Sequence, residues 1–315
     1  MAKLVMTVDE MKNRNAWLEL RNSGLGGSDA AVIMGINPWK SRLALWAEKA
    51  GQKAPEDLSG NQRVYWGQKN ESNIADWFEE VTGKTTMRKG MMRSTRYPWM
   101  LASVDRVVVG EKAGLEVKTA GVDQAKYWGE DEIPDAYYLQ CQWYMAVTGW
   151  DRWYIAVLIG GNDARWNVVE RNQEQIDQLI EAGNEFWQMV TDLIPPPPDG
   201  SDSAREVLNA KYPGGKTEVV VMTEPEAVQA ITAYRMLAKQ ADDLKKQTEA
   251  IKQHIMELMG DTEEAKIDGT KVTWKTTAGR VTIDGKSLKK DLPDVYEKYK
   301  KTGAPTRSFR IWEKV

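Results

Sequence analysis

The chain has 315 residues, of which 42% are hydrophobic, with a net charge of −3, one cysteine and one histidine. The single Cys141 and the single His254 exclude disulfide frameworks, cysteine-rich zinc sites, iron–sulfur clusters and histidine-based triads. Catalysis would have to use carboxylates, lysine or serine with a metal bound through oxygen, for which Mg²⁺ and Mn²⁺ are suited.

Length and charge predict a soluble protein with one large and one smaller domain. The N-terminus shows no signal-peptide pattern, and no apolar run approaches the roughly 20 residues that cross a bilayer, so we expect a cytoplasmic protein with no membrane partner. Residues 261–315 contain thirteen Lys and Arg against nine Asp and Glu, so they carry +4 and the preceding 260 residues carry −7. Any DNA contact of the larger domain must therefore be local.

Hydrophobic periodicity predicts an α/β domain over residues 1–194, with a central mixed sheet flanked by helices. The predicted helices span residues 7–22, 28–34, 41–50, 68–82, 136–148 and 172–193. The predicted strands span residues 103–109, 114–118, 152–159 and 164–169.

A glycine-rich segment precedes the second predicted helix, which opens near Ser28. Backbone amides at a helix start bind anions, and Arg21 and Ser28 could reach a phosphate held there. The segment lacks the Gly-Lys-Ser or Gly-Lys-Thr of a Walker loop, and no strand precedes it as in a dinucleotide-binding fold. The alternative is that Ser28 or Asp29 only caps its helix.

Carboxylates and one lysine follow in order along the predicted sheet. Glu116 and Lys118 lie two positions apart on a strand, so both point to one sheet face, about 6 to 7 Å apart. Asp105 lies on the preceding strand, and the short connection predicts an antiparallel pair that places it beside Glu116. Glu71 adds a third carboxylate, an arrangement that is unfavourable without a divalent cation. Gln140, on a later helix, could orient Lys118 or a water, or could be a core or cap residue.

The acidic-x-Lys pattern is weak by itself, because four further copies occur in the chain, at Glu10-Lys12, Asp243-Lys245, Glu264-Lys266 and Asp284-Lys286. None of these follows a strand with an upstream Asp. The ordered set from Glu71 to Gln140 predicts metal-dependent phosphodiester hydrolysis. In this hypothesis Asp105 and Glu116 hold metal at the scissile phosphate, and Lys118 orients the attacking water and stabilises the phosphorane.

A proline run at Pro195–Pro198 predicts a stiff connecting segment, which we place at residues 195–222. Residues 223–315 then form a second domain, opening with a helix of about 35 residues from a capping box at 223–226 to Gly260. One face repeats at intervals of four and three residues, which suits packing on another helix or folding back on its own domain. The repeating residues are Leu237, Ala241, Leu244, Thr248, Ile251, Ile255 and Leu258.

The tail predicts a small β unit with a basic surface. Residues 267–270 form a hairpin signal, and residues 272–275 and 281–283 are predicted as strands. The basic side chains that follow would form either a solvated face or a contact with a phosphate backbone. They are Lys286, Lys289, Lys290, Lys298, Lys300, Lys301, Arg307 and Arg310.

Taken together, these motifs resemble the phage lambda-type exonucleases, including the YqaJ-like viral recombinases, within the PD-(D/E)xK nuclease superfamily. The resemblance spans about residues 14–190. It rests on Arg21 with Gly26-Gly27-Ser28-Asp29, Asn37-Pro38-Trp39, Gly67-x-x-x-Glu71, Asp105, Glu116-Val117-Lys118 and Tyr138-Leu139-Gln140-Cys141-Gln142. One departure is Val104, which stands where the superfamily name has proline.

The resemblance implies a restriction-endonuclease-like core and a Mg²⁺-dependent 5′ to 3′ exonuclease that acts on double-stranded DNA ends. Such an enzyme leaves a 3′ single strand for annealing recombination. Also implied are two ions per site, with Mn²⁺ able to replace Mg²⁺, a ring-shaped homotrimer and a single-strand annealing protein as partner. The metal ligands that the resemblance implies are Asp105, Glu116, the Val117 carbonyl and Glu71. The implied catalytic residue is Lys118, and Glu71 and Gln140 complete the site. The implied ligands of the 5′-phosphate are Arg21 and Ser28.

Two other functions are compatible with the same residues. One is a PD-(D/E)xK endonuclease with the same chemistry, which would cut covalently closed circles. The other is a non-catalytic DNA end-binding protein whose acidic cluster is structural, which would retard linear DNA without degrading it.

Overall fold

The computed structural model describes residues 2–55, 58, 60–129, 132–303 and 307–312. The chain divides into two compact units, Met1–Pro213 and Gly214–Val315. Among the described residues, no helix combines the length and the apolar character needed to cross a membrane.

The first unit contains a mixed sheet, as the sequence predicts, but the sheet has five strands, one more than the four predicted. Its strand order is β2-β5-β6-β7-β8, and only the β6–β7 pair is parallel. A separate three-stranded antiparallel sheet has the order β1-β3-β4. The strands are β1 (Ala2–Met6), β2 (Thr86–Arg88), β3 (Met91–Ser94), β4 (Leu101–Ala102), β5 (Arg106–Val108), β6 (Ala113–Ala120), β7 (Arg152–Ile159) and β8 (Asp163–Glu170).

Helices cover the sheet and connect its strands. They are α1 (Arg14–Asn22), α2 (Ala30–Ile33), α3 (Arg42–Lys49), α4 (Gln62–Thr82), α5 (Asp135–Thr148), α6 (Gln173–Thr191) and α7 (Asp202–Lys211). Helix α5 lies between the parallel strands β6 and β7 in the chain, as a crossover between parallel strands requires. Short 3-10 turns occupy Glu10–Lys12, Gly27–Asp29 and Val122–Tyr127.

Strand β7 lies inside the sheet, and both of its faces are covered. Tyr154 packs with Phe78 of α4 in one apolar cluster, whereas Trp153 and Ile155 belong to the larger cluster that contains Trp143 of α5. Because successive strand residues point to opposite faces, a strand covered on both sides reads as a continuous apolar run. This explains why β7 matches its predicted bounds.

Two predictions near the N-terminus and before β5 need correction. The helix predicted over 7–22 begins only at Arg14, where the Asn13 side chain caps it by accepting a hydrogen bond from the Ala16 amide. Residues 10–12 form a 3-10 turn, and residues 2–6 form β1, which was not predicted. The strand predicted over 103–109 forms only over Arg106–Val108, as β5. Residues 103–105 connect β4 of the three-stranded sheet to β5 of the five-stranded sheet, and Asp105 immediately precedes β5.

Helix α7 belongs to the first unit, although the sequence analysis assigned residues 195–222 to a connecting segment. Ala204 and Val207 are buried in the main core, and the Ser203 hydroxyl accepts a hydrogen bond of 2.9 Å from the Ser41 amide at the start of α3. The proline run therefore leads to a docked helix, and the first unit extends to Pro213.

The second unit contains the long helix α8 (Pro225–Met259), the hairpin strands β9 (Glu264–Ile267) and β10 (Thr270–Thr273), and the short helices α9 (Gly285–Asp291) and α10 (Pro293–Tyr299). Helix α8 and the hairpin agree with the sequence prediction. The strand predicted over residues 281–283 is wrong: these residues form no regular element, and Val281 and Ile283 are exposed. The basic segment that follows forms α9 and α10.

Candidate active site

Strand β6 presents Glu116 and Lys118 on one face of the sheet. Leu115 and Val117 point to the α4 cluster, so the alternation of the strand turns the two charged side chains toward α5. Glu116 is 2% exposed, and its Oε1 lies 2.5 Å from the Lys118 Nζ. The predicted same-face arrangement of the two residues is present.

Asp105 lies beside Glu116 through the predicted antiparallel pair. Arg106 of β5 pairs with Leu115 of β6, which places Asp105 next in register to Glu116. The Val117 amide donates a hydrogen bond of 2.8 Å to Asp105 Oδ2. Backbone pairing thus fixes both carboxylates at one point of the sheet.

Gln140 of α5 completes this cluster. Its Nε2 donates to Glu116 Oε1 at 2.7 Å, and its Oε1 accepts from Lys118 Nζ at 3.2 Å. Gln140 is itself buried, so its amide has no access to bulk water and satisfies the charged pair instead.

Tyr144 is a site residue that the sequence analysis missed. Its hydroxyl accepts a hydrogen bond of 2.8 Å from Gln140 Nε2 and donates one of 2.9 Å to the Ser103 carbonyl. The available signal was its spacing of four residues from Gln140, which places both on one helix face.

The electrostatics of the cluster are those of buried like charges. Burial, and then the neighbouring Asp105 charge, raise the pKa of Glu116 to about 8. Burial also raises the pKa of Asp105, against the opposing effect of Lys118. Burial alone would lower the pKa of Lys118, but the carboxylates of Glu116 and Asp105 outweigh it and raise that pKa. The second oxygen of Glu116, Oε2, is buried without a hydrogen-bond partner.

Glu71 differs from the prediction that three carboxylates converge. It extends from α4, and its Oε1 lies 3.3 Å from Arg88 Nη2 of β2. Burial and the Asp105 charge raise the pKa of Glu71, so the two carboxylates influence each other. Within the part of the chain that the structure describes, however, no three His, Cys, Asp or Glu side chains form a metal-binding group.

The glycine-rich segment folds into a compact turn around Asp29. Asp29 is buried, and its Oδ2 accepts a hydrogen bond of 2.9 Å from the Gly26 amide. Arg21 Nη2 donates to the Ser28 Oγ at 2.8 Å, and Ser28 is exposed. The Asp29 side chain thus binds the start of the turn and does not cap α2, contrary to one interpretation, while Arg21 and Ser28 are brought together, as the other predicts.

Gly27 brings the turn against α5. A Cβ at this position would lie 2.5 Å from the Tyr144 ring, which is too close for any other residue without displacement of Tyr144. The turn and the carboxylate cluster are therefore in contact through Tyr144.

One cavity of about 210 Å³ joins the two groups of residues. Its charged and polar lining comes from the turn on one side and from the sheet and α5 on the other. The lining residues include Arg21, Gly26, Gly27, Ser28, Ser103, Asp105, Glu116, Gln140 and Tyr144.

The chain is similar to several known proteins. The family model described as "YqaJ-like viral recombinase domain" matches residues 16–151. The Bacillus subtilis (strain 168) protein named "Uncharacterized protein YqaJ" is 37% identical over 301 residues, which cover 94% of each chain. Among solved structures, an alkaline exonuclease from Laribacter hongkongensis aligns with a TM-score of 0.47 and 18% identity, over 57% of this chain and 94% of that chain. A phage-related exonuclease from Haemophilus somnus 129PT aligns with a TM-score of 0.41 and 15% identity, over 56% of this chain and 99% of that chain.

Proposed function

Because the chain belongs to the YqaJ-like viral recombinase family, we propose that it is a metal-dependent exonuclease that degrades double-stranded DNA from its ends in the 5′ to 3′ direction. The observation that carries the proposal is a cavity in which Asp105 and Glu116 face Arg21 and Ser28, while Lys118 is paired with Glu116 behind this lining. A nuclease that starts at a phosphorylated end needs both groups within one nucleotide's reach.

The residues of the cluster fit a divalent cation. Glu116 Oε2 is a buried oxygen without a hydrogen-bond partner, and burial raises the pKa values of Glu116 and Asp105, so a cation beside them would stabilise both carboxylates as ions. Hard oxygen donors of this kind suit Mg²⁺ or Mn²⁺. Asp105, Glu116 and the Val117 carbonyl would hold the ion.

A bound divalent ion supplies positive charge that neutralises the carboxylates and the phosphodiester and makes water a stronger nucleophile. Lys118 adds an ammonium group, held by Glu116 and Gln140, which orients the water and stabilises the negative charge that develops on the phosphate oxygens. Gln140 keeps Lys118 and Glu116 in place, and Tyr144 fixes Gln140 against the Ser103 carbonyl. In this proposal Glu71, which pairs with Arg88 in this structure, would help to hold a second ion.

Arg21 and Ser28 are proposed to bind the 5′-phosphate of the strand that is being shortened. A guanidinium and a hydroxyl 2.8 Å apart can donate to two oxygens of one phosphate. The product would be a 3′ single strand, passed to a single-strand annealing protein. A ring-shaped homotrimer is the assembly that we propose.

The test compares linear duplex DNA with covalently closed duplex circles, each incubated with the protein and Mg²⁺. We expect linear DNA to be degraded and circles to persist, with strands labelled at the 5′ end losing their label first. Nicking or linearisation of circles would instead identify an endonuclease. Retardation of intact linear DNA in a gel would identify a non-catalytic end-binding protein.

A further inference from the structure

We infer that Lys49 is a positioning residue that, together with Asp29, holds Arg21 in the orientation that receives a terminal phosphate. The inference rests on the proposed function, because it assigns a role within the proposed phosphate site. It concerns two buried residues that lie behind that site and need not touch DNA.

Lys49 is linked to both the backbone and the side chain of Arg21. From the last turn of α3, its Nζ donates to the Arg21 carbonyl at 2.9 Å and lies 3.1 Å from Asp29 Oδ2. The other Asp29 oxygen, Oδ1, accepts from Arg21 Nη2 at 3.2 Å. The backbone of Arg21 is therefore tied directly to Lys49, and its guanidinium is tied to Lys49 through Asp29.

Stability alone does not explain a lysine at this position. The Lys49 side chain is 2% exposed and the Asp29 side chain 4%, whereas that of Arg21 is 26% exposed. Removing two charges from water is costly, and an apolar pair of similar size stabilises a fold as well or better. The buried Lys49–Asp29 pair thus points to a role in holding Arg21, which lines the cavity.

The summed charge of Arg21, Asp29 and Lys49 also favours the binding of an anion. Arg21 and Asp29 alone would be neutral together, so the carboxylate would cancel the attraction of the guanidinium for phosphate. Lys49 leaves the set with one net positive charge beside the exposed hydroxyl of Ser28. A fixed guanidinium also loses less conformational entropy when it binds phosphate.

The experiment measures the affinity for duplexes that carry either a 5′-phosphate or a 5′-hydroxyl, by fluorescence anisotropy without divalent ions. The wild-type protein should bind the phosphorylated end about tenfold more tightly, which corresponds to one charge-assisted hydrogen bond. Lys49→Met should lose most of this preference, while Lys49→Arg should keep it. Lys40→Met is the matched control. Lys40 precedes α3 and pairs at 2.6 Å with Glu48, the neighbour of Lys49 in that helix, so this change should leave the preference for the phosphorylated end unchanged.

The double variant Asp29→Asn with Lys49→Met tests whether the phosphate preference depends on the position of the Arg21 side chain or on the net charge around it. It removes one charge of each sign, so the net charge at Arg21 stays the same, and it avoids a lone buried charge if Lys49→Met does not fold. We expect the double variant to lose the phosphate preference, and a retained preference would overturn the inference. Absence of a preference in the wild type would overturn the phosphate site and this inference together, while DNA degradation, measured separately with Mg²⁺, would still test the nuclease proposal.

Discussion

At the scale of single residues, the cluster on β6 depends on hydrogen bonds that only a few side-chain types can make. Gln140 donates to Glu116 and accepts from Lys118, so its amide matches a carboxylate and an ammonium at once. The sequence predicted that Gln140 would join the cluster. It did not reveal Tyr144, because a tyrosine in an apolar helix has the same pattern whether its hydroxyl is used or not.

Tyr144→Phe should therefore lower the rate of DNA hydrolysis without loss of the fold. The change removes the link between Gln140 and the Ser103 carbonyl, which is worth about 0.5–1.5 kcal/mol, so we expect a decrease in kcat of about two- to tenfold and little change in DNA affinity. Tyr97→Phe, a half-buried tyrosine that does not line the cavity, is the control. An unchanged kcat in Tyr144→Phe would show that Gln140 keeps its position without the hydroxyl.

The lowered pKa of Asp29 predicts how the stability of the protein changes at acid pH. Burial alone would raise the pKa of Asp29, but Lys49 and Arg21 outweigh it and lower that pKa to about 2, from 3.8. A carboxyl whose pKa is lowered by folding contributes stability that is present above its unfolded value and lost as the pH falls through the folded value. The contribution is about 2 kcal/mol.

Urea unfolding of wild type and Asp29→Asn from pH 6 to pH 2 measures this contribution. The difference in unfolding free energy should be constant above about pH 4 and should shrink toward pH 2. Asp76→Asn, a change at an exposed residue of α4, should show no such trend. A difference that does not vary with pH in Asp29→Asn would mean that Asp29 is not held as an ion by Lys49 and Arg21.

At the scale of elements, the parts of the fold with strong local patterns were predictable. Strand β7 is a continuous apolar run, and α5 matches its predicted bounds to within one residue, whereas α4 begins at Gln62, six residues before its predicted start. Strands β1 to β4 were missed. They have only two to five residues each, and a pairing such as that of Ala2 with Ser94 has no local sequence signal. Lys49 was missed because a lysine in the last turn of a helix usually points to solvent.

Helix α7 packs in the core of the first unit, so truncation of a buried α7 side chain should lower the unfolding free energy. Val207→Ala should lower the unfolding free energy of the protein by about 1 to 3 kcal/mol, because it leaves a cavity in the core that contains α3. Leu208→Ala, at the exposed neighbouring position, should cost less. Thermal and urea unfolding would measure both changes, and equal effects would argue that α7 does not contribute to the core.

At the scale of the whole molecule, the site lies entirely in the first unit, whereas the similarity to the Bacillus subtilis relative extends across 94% of the chain and so into the second unit. Helix α8 has the predicted length, and Leu237, Leu244, Ile251 and Leu258 of its repeating face are exposed. Packing of this face on another helix stays a prediction, as does DNA contact by the basic residues between Lys286 and Arg310.

The central claim is that Asp105, Glu116 and Lys118 act with a divalent ion to hydrolyse DNA, and Lys118→Ala tests it most directly. Release of nucleotides from 5′-phosphorylated linear duplex is measured with Mg²⁺ for the wild type, Lys118→Ala and the control Lys112→Ala, which changes the exposed lysine immediately before β6. We predict that the wild type and Lys112→Ala release nucleotides at similar rates, and that Lys118→Ala binds the duplex but releases essentially none. Equal release by all three proteins, or release that persists in the wild type after all divalent ions are chelated, would contradict the claim.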